Sequence, residues 1–170
     1  ETCSCDVPMY SMGVAVGDAN ADERPDLVVT DIGSPRSFVN LDGGGFADAS
    51  LAWNAYIPPS DTNLVSWGTS FLDFDRNGCS DLVFMYGRLG EASDAIFENG
   101  LPGVETGSVD PEVQSNVLLL SDCTPSYTRV EGTDFDRFPD RDRSVAVGDL
   151  DRDGRADLVS AGRDFLRVWM

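Results

Sequence analysis

Asp149-Leu-Asp-Arg-Asp-Gly-Arg-Ala-Asp-Leu158 carries an oxygen-bearing side chain at positions one, three, five and nine, then runs straight into an apolar segment. The same pattern stands twice before it, as Asp18-Ala-Asn-Ala-Asp-Glu-Arg-Pro-Asp-Leu27 and as Asp73-Phe-Asp-Arg-Asn-Gly-Cys-Ser-Asp-Leu82. Four such oxygens, with the position-seven carbonyl turned inward, can surround one hard cation of calcium's size, which takes six to eight oxygen ligands. Internal repetition outranks chain length as information about architecture, so these three loops frame everything else.

Each loop lies between segments of strand chemistry, short, rich in β-branched and aromatic residues and bounded by Gly or Asp. Met12-Gly-Val-Ala-Val16 and Leu27-Val-Val-Thr30 flank the first, Trp67-Gly-Thr-Ser-Phe-Leu72 and Leu82-Val-Phe-Met-Tyr86 the second, Ser144-Val-Ala-Val147 and Leu158-Val-Ser160 the third. A third strand is expected after each hairpin, at Ser37-Phe-Val-Asn-Leu41, Asn116-Val-Leu-Leu-Leu120 and Phe165-Leu-Arg-Val-Trp169. The glycine-rich turn Asp42-Gly-Gly-Gly-Phe46 starts a fourth strand near Phe46. Three or four antiparallel strands repeating every few tens of residues predict an all-β fold of antiparallel β-propeller blades, about three in an incomplete ring, with the acidic loop in the first hairpin of each.

The resulting division is an N-terminal cysteine-containing segment 1–10, a blade over 11–60, a second over 61–133, and a linker with an incomplete third blade over 134–170. The first two loops begin 55 positions apart (18 to 73) and the next two 76 (73 to 149). The excess falls in an insertion at about 87–114, a long excursion of the kind that often carries function, with a plain solvated loop as the alternative. Asp134-Phe-Asp-Arg-Phe-Pro-Asp-Arg-Asp-Arg143 is acidic but wrongly spaced, and reads as a solvated linker between blades.

Thirty acidic residues face twelve basic ones, and the acids are 23 Asp against 7 Glu. Short carboxylates suit tight metal loops. A net charge of −18 argues against nucleic-acid and anionic membrane partners, which select basic patches. The bases are all arginine, a bias that a salt-adapted or GC-rich source also produces. No stretch approaches the roughly 18 apolar residues of a membrane span, and Glu1 reads as the start of a processed or excised segment. Four cysteines without zinc-type spacing read as disulfides of an exported protein, with free thiols the alternative. Cys79 and Cys123 lie within one repeat and can bridge it; Cys3 and Cys5 are so close that one or both are expected to pair elsewhere.

The repeats resemble the FG-GAP and VCBS families, calcium-loop blades found in integrin alpha-chain propellers and in secreted bacterial proteins, with the cartilage acidic protein-like subgroup nearest. Ala15-Val-Gly-Asp18 and Ala146-Val-Gly-Asp149 look like the family's strand into its loop, and Asn40-Leu-Asp-Gly-Gly-Gly-Phe46 like its turn. The resemblance implies up to three calcium ions. Their side-chain ligands would be Asp18, Asn20, Asp22 and Asp26, then Asp73, Asp75, Asn77 and Asp81, then Asp149, Asp151, Asp153 and Asp157, with the carbonyls of Arg24, Cys79 and Arg155. Glu23 stands where Gly78 and Gly154 sit, at a position expected to need a left-handed backbone, so the first site should be the weakest. An EF-hand is disfavoured: position twelve is Val29, Phe84 or Ser160 instead of an acid, and the flanks have strand character.

With neither His nor Lys, imidazole bases, catalytic triads and Schiff-base lysines are closed, so no enzymatic activity is expected; a carboxylate pair for glycoside hydrolysis has nothing beyond its presence in support. The resemblance implies an extracellular structural, adhesion or recognition module meeting protein or glycan. Trp53, Tyr56 and Tyr86 can stack on sugars or fill the core. Alternatives are a subunit of a self-assembling extracellular filament and the non-catalytic part of a larger secreted carbohydrate-active enzyme. Two blades and most of a third cannot close a ring, so the remaining blades or further copies of the chain are expected partners. Without a cation, unit charges roughly 5 Å apart repel by about 0.8 kcal/mol in water and about 3 kcal/mol at an effective dielectric of 20, so such loops call for a metal.

Overall fold

The computed structural model describes residues 5–55, 64–87, 114–124, 126–137, 141–162 and 165–170. The expected insertion apart from Gly87 and Gln114, and Cys3, Tyr56 and Phe138, lie outside them. Among the described residues the fold is all-β, with three antiparallel sheets, none closed into a barrel. Sheet one is a meander of β1 (Val14–Gly17), β2 (Asp26–Val29), β3 (Arg36–Asn40) and β4 (Phe46–Asp48). Sheet two repeats it with β5 (Ser66–Leu72), β6 (Asp81–Tyr86), β7 (Val117–Ser121) and β8 (Tyr127–Arg129). Sheet three comprises β9 (Asp142–Gly148), β10 (Asp157–Gly162) and β11 (Leu166–Trp169). In every sheet the acidic stretch is the turn between the first and second strands.

The sheets stack in chain order, and the period-two alternation of β-strands decides which side chain goes to which interface. All six residues of β6 are buried, because sheet two is covered on both faces. Leu82, Phe84 and Tyr86 turn toward sheet one, where they join Ala15, Val28 and Trp53. Val83 and Met85 turn the other way, onto Leu158 with Val145, Val147 and Trp169 packed beside it. The residues following the three loops are homologous by position: Leu27-Val28, Leu82-Val83 and Leu158-Val159. Each sheet therefore lays its valine face on the leucine face of the next.

The first strands approach at backbone distance. A Cβ on Gly13 would stand 2.2 Å from Trp67 O, and one on Gly68 would stand 2.8 Å from Ser144 Cα, so neither position admits a side chain without displacing a neighbouring strand. Hydrogen bonds stitch the same seams. Thr30 Oγ1 donates to Trp67 O at 2.6 Å, and Ser66 Oγ accepts from Asp31 N and donates to Asp31 O. Asn116 takes the Tyr86 N–H on its Oδ1 and donates from Nδ2 to the buried Asp142 at 2.8 Å.

One reading of the sequence needs correction, one open alternative is decided, and one strand is added. The solvated linker is partly structured: Asp134–Arg137 forms a single-turn helix, α1, whose buried Phe135 meets Trp169 edge-on at 5.3 Å, while Asp142 and Arg143 already belong to β9. The density of Asp and Arg there hides one apolar anchor. Trp53 and Tyr86 are 4% and 0% exposed and serve the core, which leaves them no face for a sugar. Strand β8 was not expected, since its three residues contribute one buried side chain, Tyr127.

Cys79 and Cys123 form a disulfide with Cα atoms 5.0 Å apart, tying the second acidic loop to the turn between β7 and β8. Cys5 is disulfide-bonded as well. With the joined cysteines 44 positions apart, the chain-entropy relation gives a contribution of about 4 kcal/mol. Urea unfolding of the Cys79→Ser/Cys123→Ser variant is expected to show a loss of that order; a midpoint equal to that of the parent chain would refute it.

Candidate metal centres

The three loops follow one backbone path. Position four is left-handed in each, with φ of 59° at Ala21, 61° at Arg76 and 65° at Arg152. Position six is left-handed too, at Glu23 (66°), Gly78 (84°) and Gly154 (82°). These two inversions curl the chain so that its own carboxylates cap its backbone N–H groups, the local side-chain-to-backbone bonding that Asp and Asn favour. Asp18 accepts from Asp22 N and Glu23 N at 3.0 and 2.8 Å, and Asp149 accepts from Asp153 N and Gly154 N at 3.1 and 3.0 Å. Asp73 accepts from Gly78 N at 3.1 Å. The position-five oxygen then takes the N–H of position seven: Asp22 from Arg24, Asn77 from Cys79, Asp153 from Arg155.

Position nine has a second task that spacing alone does not reveal. Asp26, Asp81 and Asp157 are buried, and each accepts the N–H of loop position two, from Ala19, Phe74 and Leu150 at 3.0, 2.7 and 2.7 Å. The other oxygen of Asp26 receives Asn40 N, and that of Asp81 receives Ser121 N, both at 2.8 Å. One carboxylate thus joins its loop to the third strand of its sheet. Burial raises the pKa of Asp26 and of Asp81, against the pull of these N–H donors, with Asp22 and Asp18 adding to the rise at Asp26 and Asp75 at Asp81.

The expected ligands converge unevenly. Asp73, Asp75 and Asp81 bring carboxylate oxygens within 4.8 Å of one another, and so do Asp149, Asp151 and Asp153; Asp157 stands outside that second cluster. The first loop forms no such group of acids among the described residues; Asn20 stands between Asp18 and Asp22 and donates from Nδ2 to Asp22 at 2.9 Å. Loop oxygens gathered in this way form an all-oxygen donor set suited to a hard cation.

Arginine adds a side-chain contact that the sequence reading did not include. The Arg24 side chain pairs with Asp22, and Arg155 with Asp153, so the position-seven residue lays its guanidinium on the position-five carboxylate. The hydrogen bonds from Arg155 lower the Asp153 pKa and, reciprocally, Asp153 raises that of Arg155. In the second loop position seven is Cys79, and the disulfide replaces the ion pair.

Neighbouring loops share one end of the stack. Tyr127, whose hydroxyl donates to Ser80 O at 3.0 Å under the second loop, has its pKa raised by burial and by the charges of Asp81, Asp26 and Asp18. In the opposite direction, the charge of Arg76 in the second loop adds to the hydrogen bonds of Arg155 in lowering the pKa of Asp153 in the third. Beside them Phe74 and Leu150 are exposed, and a groove of about 800 Å³ opens between sheets two and three, lined by Phe74, Phe135, Arg155, Arg167 and Trp169. No protein-family model matches the chain, and a search of curated proteins finds no significant match.

A Cβ on Gly154 would meet nothing within 4 Å, so any cost of adding one comes from the left-handed backbone alone. Gly154→Ala is expected to lower stability by about 1–2 kcal/mol in denaturant unfolding. An unchanged midpoint would mean that the loop does not hold this conformation.

Proposed function

We propose that this chain is an extracellular calcium-binding segment built from FG-GAP/VCBS-type propeller blades, in which the metal is structural and the loop end of the stack meets a protein or glycan ligand. The observation that carries this reading is a loop conformation repeated three times, with the same two left-handed residues and the same carboxylate caps, that gathers acidic oxygens within 4.8 Å in two of its copies. Three sheets whose first strands lie side by side, β1 on β5 and β5 on β9, support a radial arrangement of blades. The disulfide supports an oxidising compartment, and no helix of the described residues is long and apolar enough to cross a membrane. The exposed Phe74 and Leu150, set among fixed charges on rigid hairpins, are the recognition surface this reading assigns.

In this reading Asp73, Asp75, Asn77 and Asp81 with the Cys79 carbonyl hold one ion, and Asp149, Asp151, Asp153 and Asp157 with the Arg155 carbonyl hold another. Asp18, Asn20, Asp22 and Asp26 with the Arg24 carbonyl hold a third, weakest ion, because Glu23 is left-handed without being glycine where the other two loops have Gly78 and Gly154. At free calcium about 100 times its dissociation constant, one site adds about 2.7 kcal/mol to folding stability. For a chain of this size that is about 5–10 °C in Tm per site. Chelation is expected to lower Tm by at least that much, and Asp151→Ala or Asp153→Ala to remove one calcium equivalent in titration calorimetry. A melt indifferent to chelator, with no calcium heat, would contradict the proposal.

A further inference from the structure

We propose that copies of this chain associate head to tail through the two outer faces of the sheet stack, the leucine face of sheet one in one copy seated on the valine face of sheet three in the next. The argument rests on the stacking of the sheets and stands whether or not the loops hold calcium. Inside the molecule a valine face meets a leucine face twice, Val28 and Ala15 against Leu82 and Phe84, then Val83 and Met85 against Leu158 and Val147. Among the described residues, the stack leaves one half of this contact open at each end.

At one end, Val14 and Val16 pair across β1 and β2 with Val29 and Leu27, so all four lie on the leucine face, and the two β1 valines are 60% and 62% exposed. Phe38, next to Leu27 on the same face, is buried, so the open part is the β1 side. At the other end, Val159 pairs with Ala146 on β9 and Val168 on β11, and Ala161 with Leu166; Leu166 and Val168 are 69% and 46% exposed. Contiguous apolar surface on a sheet face marks a site of association. The occupant committed to here is a second copy, because its opposite end presents the face that already covers this one twice within the chain. The two faces differ, so the contact is heterologous, and repetition extends the assembly unless it closes on itself.

Charge sets the conditions. Two copies each carrying −18 repel at long range, and salt screens that repulsion while leaving apolar contact intact, so association should strengthen as salt rises. The test is sedimentation velocity of the full chain over a concentration and salt series, in calcium throughout. Val16→Asp spoils only the leucine face and Val168→Asp only the valine face; both residues are exposed, and matching circular dichroism melts at dilution establish that the variants fold. The parent is expected to pass from single chains to dimers and longer species. Each variant alone should sediment as a single chain where the parent is at least dimeric, and an equal mixture should form dimers and nothing longer, because one intact face remains on each partner. A parent that stays single at every concentration, a variant that dimerises alone, or a mixture that stays single would each overturn the proposal.

Discussion

A carboxylate buried beneath its own loop is the constraint on which the rest of each hairpin depends. Asp26, Asp81 and Asp157 stand where the loop re-enters the sheet, and an acid taken out of water persists only if donors or a cation compensate it. Backbone N–H groups supply part of that compensation, one from position two of the loop and, in sheets one and two, one from beyond the third strand's pairing with the second. In the second and third loops the remaining acids gather on one small volume, and all three loops are curled by the same two left-handed positions. Local backbone geometry and electrostatics therefore point to one requirement, positive charge at the centre of the loop.

The molecule meets that requirement partly with its own side chains. Arg24 and Arg155 neutralise the position-five acids of the first and third loops, whereas the second loop has a covalent tie from Cys79 to Cys123. The loops crown hairpins whose strands form the stack, so a loop that splays also loosens β1 on β5 or β5 on β9, where the backbones touch with no side chain between them. Apolar contact then does the bulk of the holding, through β6, whose alternating side chains supply both interfaces.

Much of this was legible in the chain. The hairpins, the third strands and the fourth strand near Phe46 follow from period-two alternation bounded by Gly and Asp, and the left-handed position six follows from Gly78 and Gly154, so that Glu23 could be singled out. Position four was invisible, since Ala21, Arg76 and Arg152 have no shared chemistry that favours a positive φ. The arginine pairs were missed for a similar reason: spacing places a residue on a loop but does not say what its side chain pairs with. β8 and Phe135 escaped because each offers a single apolar residue among polar neighbours, too little to set a period. Which faces of the sheets remain open is a property of packing and no local pattern records it.

The most direct test of the central claim is an anomalous difference map from crystals of this chain grown in calcium. It should show a peak inside the second loop, among the carboxylates of Asp73, Asp75 and Asp81 and the Cys79 carbonyl, and another inside the third among Asp149, Asp151 and Asp153. Ordered loops with no peak in either, at saturating calcium, would contradict the account.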